Sequence, residues 1–404
     1  MNKKTQGLLF LFIFLAFGEL KAQTPYQPNF IDRIHRHFYK SISPYRYLYN
    51  KFWAVDSNPN SFKKKKEDDF IVLPFVSYAP ETNFKFGLAS DYSFYTHFDS
   101  ITRVSSQTAR ISYSLNHQYG IELNPDFWTP YNRYHFTGAF QYQNFPANFY
   151  GIGYDTRDSN KVLLASHQFF LDLEAEKKIG TSFRIGLVLN TVHNQFNFPS
   201  NQAFFFKNPN LYAEKGGTSF FTGISLIYDT RNILNFTTRG TYLKLIFSQN
   251  IPGISDLNSM NQLNFLAVRY FSWNSKSILG FNLVSNNILG KNIPFYLLNQ
   301  LGGSNLERGY YQGRFRDKSL LAGQIEYKYH FIPRLALGVF AGLGTTFGYE
   351  KFSWQEFKPS IGGGIHYIFS IPNQLSLRLD YGIGEKPLGE NRFHGAYFSL
   401  SEAF

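Results

Sequence analysis

The chain has 404 residues, of which 19% are aromatic, 17% charged and none cysteine, with a formal net charge of +12. So many aromatics exclude a disordered chain, and the lack of cysteine excludes disulfide frameworks, thiolate zinc sites and cysteine nucleophiles. Nucleic-acid binding does not follow from the basic excess: the cations are dispersed, and the one run, Lys63–Lys66, leads into Glu67-Asp68-Asp69 as a solvated hinge would.

At the N-terminus, Lys3 and Lys4 precede an unbroken apolar run from Leu8 to Phe17, and Lys21-Ala22-Gln23 follows. That run is too short for a membrane-spanning helix but has the length of a secretory h-region. Residues 1–22 are therefore predicted to be a signal peptide cleaved after Ala22, although Leu20 is larger than the small residue usual there. Residues 23–69 are expected to be a periplasmic segment, with one short amphipathic helix around Phe30–Tyr39 and no room for a folded periplasmic domain.

From Phe70 the pattern has period two. Leu375, Leu377, Leu379 and Tyr381 alternate with Ser376, Arg378 and Asp380, and Leu321, Ile325, Tyr327 and Tyr329 alternate with Gln324, Glu326 and Lys328. A strand with one apolar, aromatic face and one charged face suits a barrel with lipid outside and a wet lumen inside. The predicted strands are 70–79, 82–97, 103–115, 117–124, 132–143, 163–178, 181–193, 217–228, 238–249, 261–273, 276–286, 319–330, 334–346, 356–369, 373–383 and 394–404. These sixteen make an all-β, antiparallel transmembrane barrel over 70–404, an even count that returns the chain to its starting side.

Connection lengths agree with that count. With the first strand starting at the periplasm, the long connections 144–162, 194–216, 250–260, 287–318, 347–355 and 384–393 fall outside. The tight turns at 178–180, 274–275, 331–333 and 370–372 fall inside. The last strand ends in Phe398, Leu400 and Phe404, the aromatic terminus that barrel-assembly machinery reads.

Other chemistry is thin. Of ten histidines only His35 and His37 have a metal-like spacing, which reads as a stray pair, so no metal or cofactor is expected. No Gly-x-Ser-x-Gly elbow exists. Gly362-Gly363-Gly364 lies within a strand and reads as a bend in the wall. Asp155-Thr156-Arg157-Asp158 is read as loop packing.

Four stretches together resemble the BamA/TamA superfamily of outer-membrane barrels, the bacterial surface antigen domain. Leu301-Gly302-Gly303-Ser304-Asn305-Leu306-Glu307-Arg308-Gly309-Tyr310 looks like its loop 6 Arg-Gly-aromatic motif, in the connection between strands eleven and twelve. Asp229-Thr230-Arg231 with Arg239-Gly240 looks like its turn between strands eight and nine. Arg314–Lys318 leading into Gly323–Tyr327 and the C-terminal strand are the other two.

The resemblance implies a barrel whose loop 6 folds toward the lumen, placing Arg308 against an aspartate of a Phe-x-Asp-x-Gly motif on strand thirteen. Here that stretch reads Phe340-Ala341-Gly342-Leu343-Gly344, so the aspartate is missing. Alternation points two other acids inward, Glu326 and Asp380. Glu326 is the expected partner, being on the neighbouring strand, and Asp380 the second choice. By resemblance the chain acts in protein or lipid assembly into, or translocation across, the cell outer membrane. Its partners would be outer-membrane lipids, separate periplasmic proteins, and unfolded barrel or secreted cargo. The alternatives are a passive pore or structural wall protein with a plugged lumen, and an enzyme.

Overall fold

The computed structural model describes residues 68–97, 99, 101–197, 212, 215–232, 237–332, 334–348, 352–370 and 375–399. The predicted signal peptide, nearly all of the 23–69 segment, Leu400 and Phe404 lie outside the described residues.

Sixteen wall strands follow one another along the chain. They are β1 (Asp69–Ala79), β2 (Asn83–Phe94), β3 (Ser105–Ser114), β4 (Tyr119–Trp128), β5 (Tyr134–Asn144), β6 (Val162–Lys178), β7 (Phe183–Asn197) and β8 (Gly216–Asp229). The second half comprises β9 (Gly240–Asn250), β10 (Asn261–Asn274), β11 (Ser277–Leu289), β12 (Ser319–Ile332), β13 (Leu335–Phe347), β14 (Lys358–Ser370), β15 (Leu375–Ile383) and β16 (His394–Ser399). Each pairs antiparallel with the next, and Tyr78 opposite Phe398 joins β1 to β16, so the sheet closes on itself. Closure removes free edges, which lipid could not satisfy.

Alternation decides the two faces. Phe84, Phe86 and Leu88 on β2 and Leu337, Val339 and Leu343 on β13 are exposed on the outer face. The alternate positions along the same strands turn inward, and on that face Gln324, Glu326, Arg378 and Asp380 are buried. An apolar, aromatic outer band over a polar interior is the pattern of a membrane barrel.

Two differences from the predicted elements have physical causes. The fourth strand runs on to Trp128 because pairing resumes with Asp126 opposite Thr137 after the break at Pro125. Pro125 cannot donate to the ladder, and its ring packs into the space left by Gly138, where a Cβ would come within 2.9 Å of it. Three short strands were also not foreseen. Ala147–Phe149 pairs with the start of β6, and Asn299–Leu301 pairs with Phe315–Asp317 inside the long β11–β12 connection. The second pair makes loop 6 a hairpin of its own.

Apolar packing gathers where the long connections meet. Phe149, Phe221, Leu257, Met260, Ile288 and Phe295 form one buried cluster there. Leu301, Tyr310, Phe315, Leu320 and Ala322 form a second, fastening loop 6 to β12.

Candidate functional site

Register strips the inner wall of side chains over a narrow strip. One row runs Lys328, Gly338, Gly364, Asp380 and Tyr397 across β12 to β16, and the next runs Glu326, Phe340, Gly362, Gly382 and Gly395. The glycines make a trough between the two acids. Loop backbone fills it: a Cβ at Gly382 would lie 2.4 Å from the carbonyl oxygen of Arg308. That approach is possible only where the wall has no side chain.

Arg308 is fully buried in this trough. Its Nη1 donates to Asp380 Oδ2 at 2.5 Å, its Nη2 donates to Glu326 Oε2, and its guanidinium lies 3.5 Å from the centroid of the Phe340 ring. Both acids named from alternation therefore reach the arginine. Glu326 and Asp380 stand three strands apart, about 14 Å along a flat sheet at ~4.8 Å per step. They meet one guanidinium because inward side chains of a closed wall converge.

Asp380 also takes Arg378 Nε and His366 Nε2, each at 3.2 Å, and Glu326 takes Lys328 Nζ at 3.4 Å. A guanidinium with two carboxylates has its desolvation offset by charge-assisted bonds; with neither acid it would cost several kcal/mol.

The residues flanking Arg308 set the loop's path. Glu307 has φ +50° and Gly309 φ +119°, two left-handed residues that turn the chain back sharply. Gly309 N–H donates to Tyr397 Oη at 2.9 Å. Tyr310 donates its hydroxyl to the carbonyl of Pro359 at 2.7 Å and accepts Glu385 N–H at 2.9 Å. Glu307 is fully buried, accepts the Ser360 hydroxyl at 2.8 Å, and burial pushes its carboxyl up to about 8.

Further along the loop, Arg314 clamps the neighbouring connections. It donates to Glu390 at 2.7 Å and to the Thr156 carbonyl at 2.9 Å, so the Asp155–Asp158 stretch docks onto loop 6. Arg378 adds a bond to the carbonyl of Ser304 at 2.9 Å.

The turn motif lies apart from this site. Asp229 accepts Arg231 N–H at 3.0 Å, Arg231 Nε at 3.0 Å and Arg103 Nη1 at 3.1 Å. Thr230 exchanges hydrogen bonds with Thr241, and Gly240 (φ +117°) lies against the Thr230 carbonyl. Arg239 is exposed and bonds Asn232 through its backbone. At the C-terminal signal, Phe398 is half-buried opposite Tyr78.

The sequence reading did not single out Phe340, His366, Arg378 or Tyr397 as parts of the arginine's surroundings. Arg378 carried a signal, since it shares the inward parity of Asp380, and so did the glycines spaced two apart at 342, 344, 362, 364, 382 and 384. The contribution of His366 and Tyr397 depends on register, which periodicity does not give.

The family model of the Omp85 superfamily domain matches residues 105–404. No curated protein matches the chain in sequence. Among solved structures, BamA from Haemophilus ducreyi lacking POTRA domains 1–3 is similar with 13% identity and a TM-score of 0.56, over 83% of this chain and 70% of that one. CdiB from Acinetobacter baumannii is similar with 11% identity and a TM-score of 0.52, over 84% of this chain and 60% of that one. CdiB from Escherichia coli follows with 9% identity and 0.52, over 84% and 68%. The chain belongs to the Omp85 superfamily of outer-membrane β-barrels.

Proposed function

We propose, from its place in the Omp85 superfamily, that this barrel acts in assembly of protein or lipid cargo into the outer membrane, or in its translocation across it. Its mechanism would be mechanical and non-catalytic. The junction of β1 and β16 is the seam that opens to offer strand edges to cargo, and loop 6 is the latch that holds the lumen shut until it does. Export by the N-terminal signal, recruiting proteins in the periplasm and contact with outer-membrane lipid belong to the same reading.

The observation that carries it is Arg308. A fully buried cation joins loop 6 to acids on β12 and β15, while its neighbour Gly309 bonds Tyr397 on the seam strand β16. Loop position and the seam strand are thus coupled through adjacent residues.

Because the chain has no cysteine, Tyr78→Cys with Phe398→Cys, directly opposed across the seam, gives a disulfide lock free of competing thiols. In cells, the oxidised double variant should stop capturing cargo at photocrosslinkers placed on β1, and reductant should restore capture, while each single variant behaves as wild type. Undiminished capture with the seam locked overturns the reading.

The closely packed loop clusters favour a second reading, a wall protein whose lumen stays plugged. In that case seam locking changes nothing, and the purified barrel in planar bilayers is electrically silent.

A further inference from the structure

Beside loop 6 the lumen holds a cavity of about 550 Å³. Its position is notable: Tyr78 of β1 and Phe398 of β16 both line it, so it sits directly behind the seam. A cavity of that size accommodates a small polar molecule or a lipid headgroup.

The cavity's charges do not balance locally. Glu122 is paired with Arg110 at 3.8 Å, and Glu81 accepts the backbone N–H of Gln312. Two cations remain. Lys85 lines the cavity with no acid partner among the described residues. Arg316, on the second arm of the loop 6 hairpin, is the stronger case. It is 93% buried by its 7% exposure, yet its protein acceptor is one carbonyl, that of Gly313, at 3.3 Å from Nε and 3.2 Å from Nη2. Its guanidinium lies over the Phe149 ring at 4.8 Å, and no carboxylate contacts it among the described residues. Burial pushes that guanidinium down to about 10, so it remains charged at neutral pH.

Every other buried arginine of loop 6 is provided for. Arg308 has two acids and Arg314 has Glu390. An arginine held without one at so little exposure is costly unless something else supplies the negative charge. Its fork presents donors that match carboxylate and phosphate oxygens. The wall opposite is a chain of oriented amides: Gln141 donates to Gln143 at 2.7 Å and Gln143 to Gln168 at 2.6 Å. Such amides offer both donors and acceptors to the uncharged part of a polar ligand.

We propose that this cavity binds an oxyanion, a phosphate or carboxylate group borne by a polar ligand, with Arg316 as its anchoring cation and Lys85 as the second. The source is either a soluble anion in the lumen or a lipid headgroup entering through the adjacent seam.

The full chain, purified in uncharged detergent at an ionic strength held constant with chloride, is titrated calorimetrically with inorganic phosphate and with acetate. In parallel it is reconstituted in phosphatidylcholine vesicles with and without phosphatidylglycerol, and headgroup contact is read by 31P NMR. Saturable binding of phosphate or acetate supports the site with a soluble source. Contact confined to phosphatidylglycerol supports it with a headgroup source. Whichever probe binds, Arg316→Gln should weaken it at least ten-fold and Lys85→Gln several-fold, with heat-modifiable migration reporting that the barrel has folded. Should Arg316→Gln fail to fold, Lys85→Gln and the wild-type titrations still decide. The proposal is overturned if the wild type binds none of the three probes, or binds them no more tightly than the folded variants.

Discussion

The carboxylate of Glu307 occupies the space in front of Gly342: a Cβ at 342 would lie 2.7 Å from both of its oxygens. The glycine that stands where the family's motif has an aspartate is therefore matched by an acid of the loop itself. Arg308, next to Glu307, takes its two carboxylates from β12 and β15 instead.

Gly342→Asp should accordingly displace the loop, not strengthen it, because overpacking and a second buried acid act together. Destabilisation of about 1–3 kcal/mol is expected from the steric part alone. Limited proteolysis around Gly303–Gly313 measures it. Combining the change with Glu307→Ala should recover most of the protection, and this non-additivity is the signature of direct contact. Additive losses in the double variant would mean that the two positions do not share one space.

Arg308→Ala leaves Glu326 and Asp380 buried without their shared cation. Removing one side of a buried pair costs about 3–5 kcal/mol, reduced here because Lys328, Arg378 and His366 remain beside the acids. Glu326→Gln should cost less, on the order of 1.5–3 kcal/mol, since Asp380 still holds the guanidinium. Cleavage of loop 6 and leak conductance in planar bilayers should rise in that order, Arg308→Ala above Glu326→Gln above wild type. A Glu326→Gln barrel as tight as wild type would contradict the latch.

Docking of loop 6 should weaken as pH rises. Glu307 is held at about 8 in the folded protein against an ordinary 4.5. Between those values the released loop binds fewer protons than the docked one, so stability is fully present below pH 4.5 and is lost progressively up to about pH 8. Proteolysis of loop 6 should be slower at pH 6 than at pH 8.5. Arg308 and Ser360 face this carboxyl, and His366 belongs to the network beside them. Glu307→Gln separates their contributions: the slope between pH 6 and 8.5 should flatten in that variant, and an unchanged slope would assign it elsewhere.

Asp229→Ala should destabilise the barrel without opening loop 6. It removes the acceptor of Arg231 and Arg103, and loss of bonds to charged groups costs about 1.5–3 kcal/mol each at most. The midpoint of heat-modifiable migration should fall while loop 6 proteolysis remains as in wild type. An unchanged midpoint would mean that the turn contributes nothing to barrel stability.

Strand number and the direction of each side chain were legible from residue 70 onward because both are local. Period two follows from the extended backbone, and the contrast between lipid and a wet lumen writes it into composition, as in Leu375–Tyr381. Glu326 and Asp380 could be named for the same reason, since parity alone turns them inward. Parity says nothing about how far apart inward residues lie. That one guanidinium reaches both acids, that Glu307 fills the place of a side chain at Gly342, and that Arg316 contacts no carboxylate among the described residues were decided by register across four strands and by the path of loop 6. These depend on barrel closure, which brings together residues such as Arg308 and Asp380, 72 positions apart in the chain.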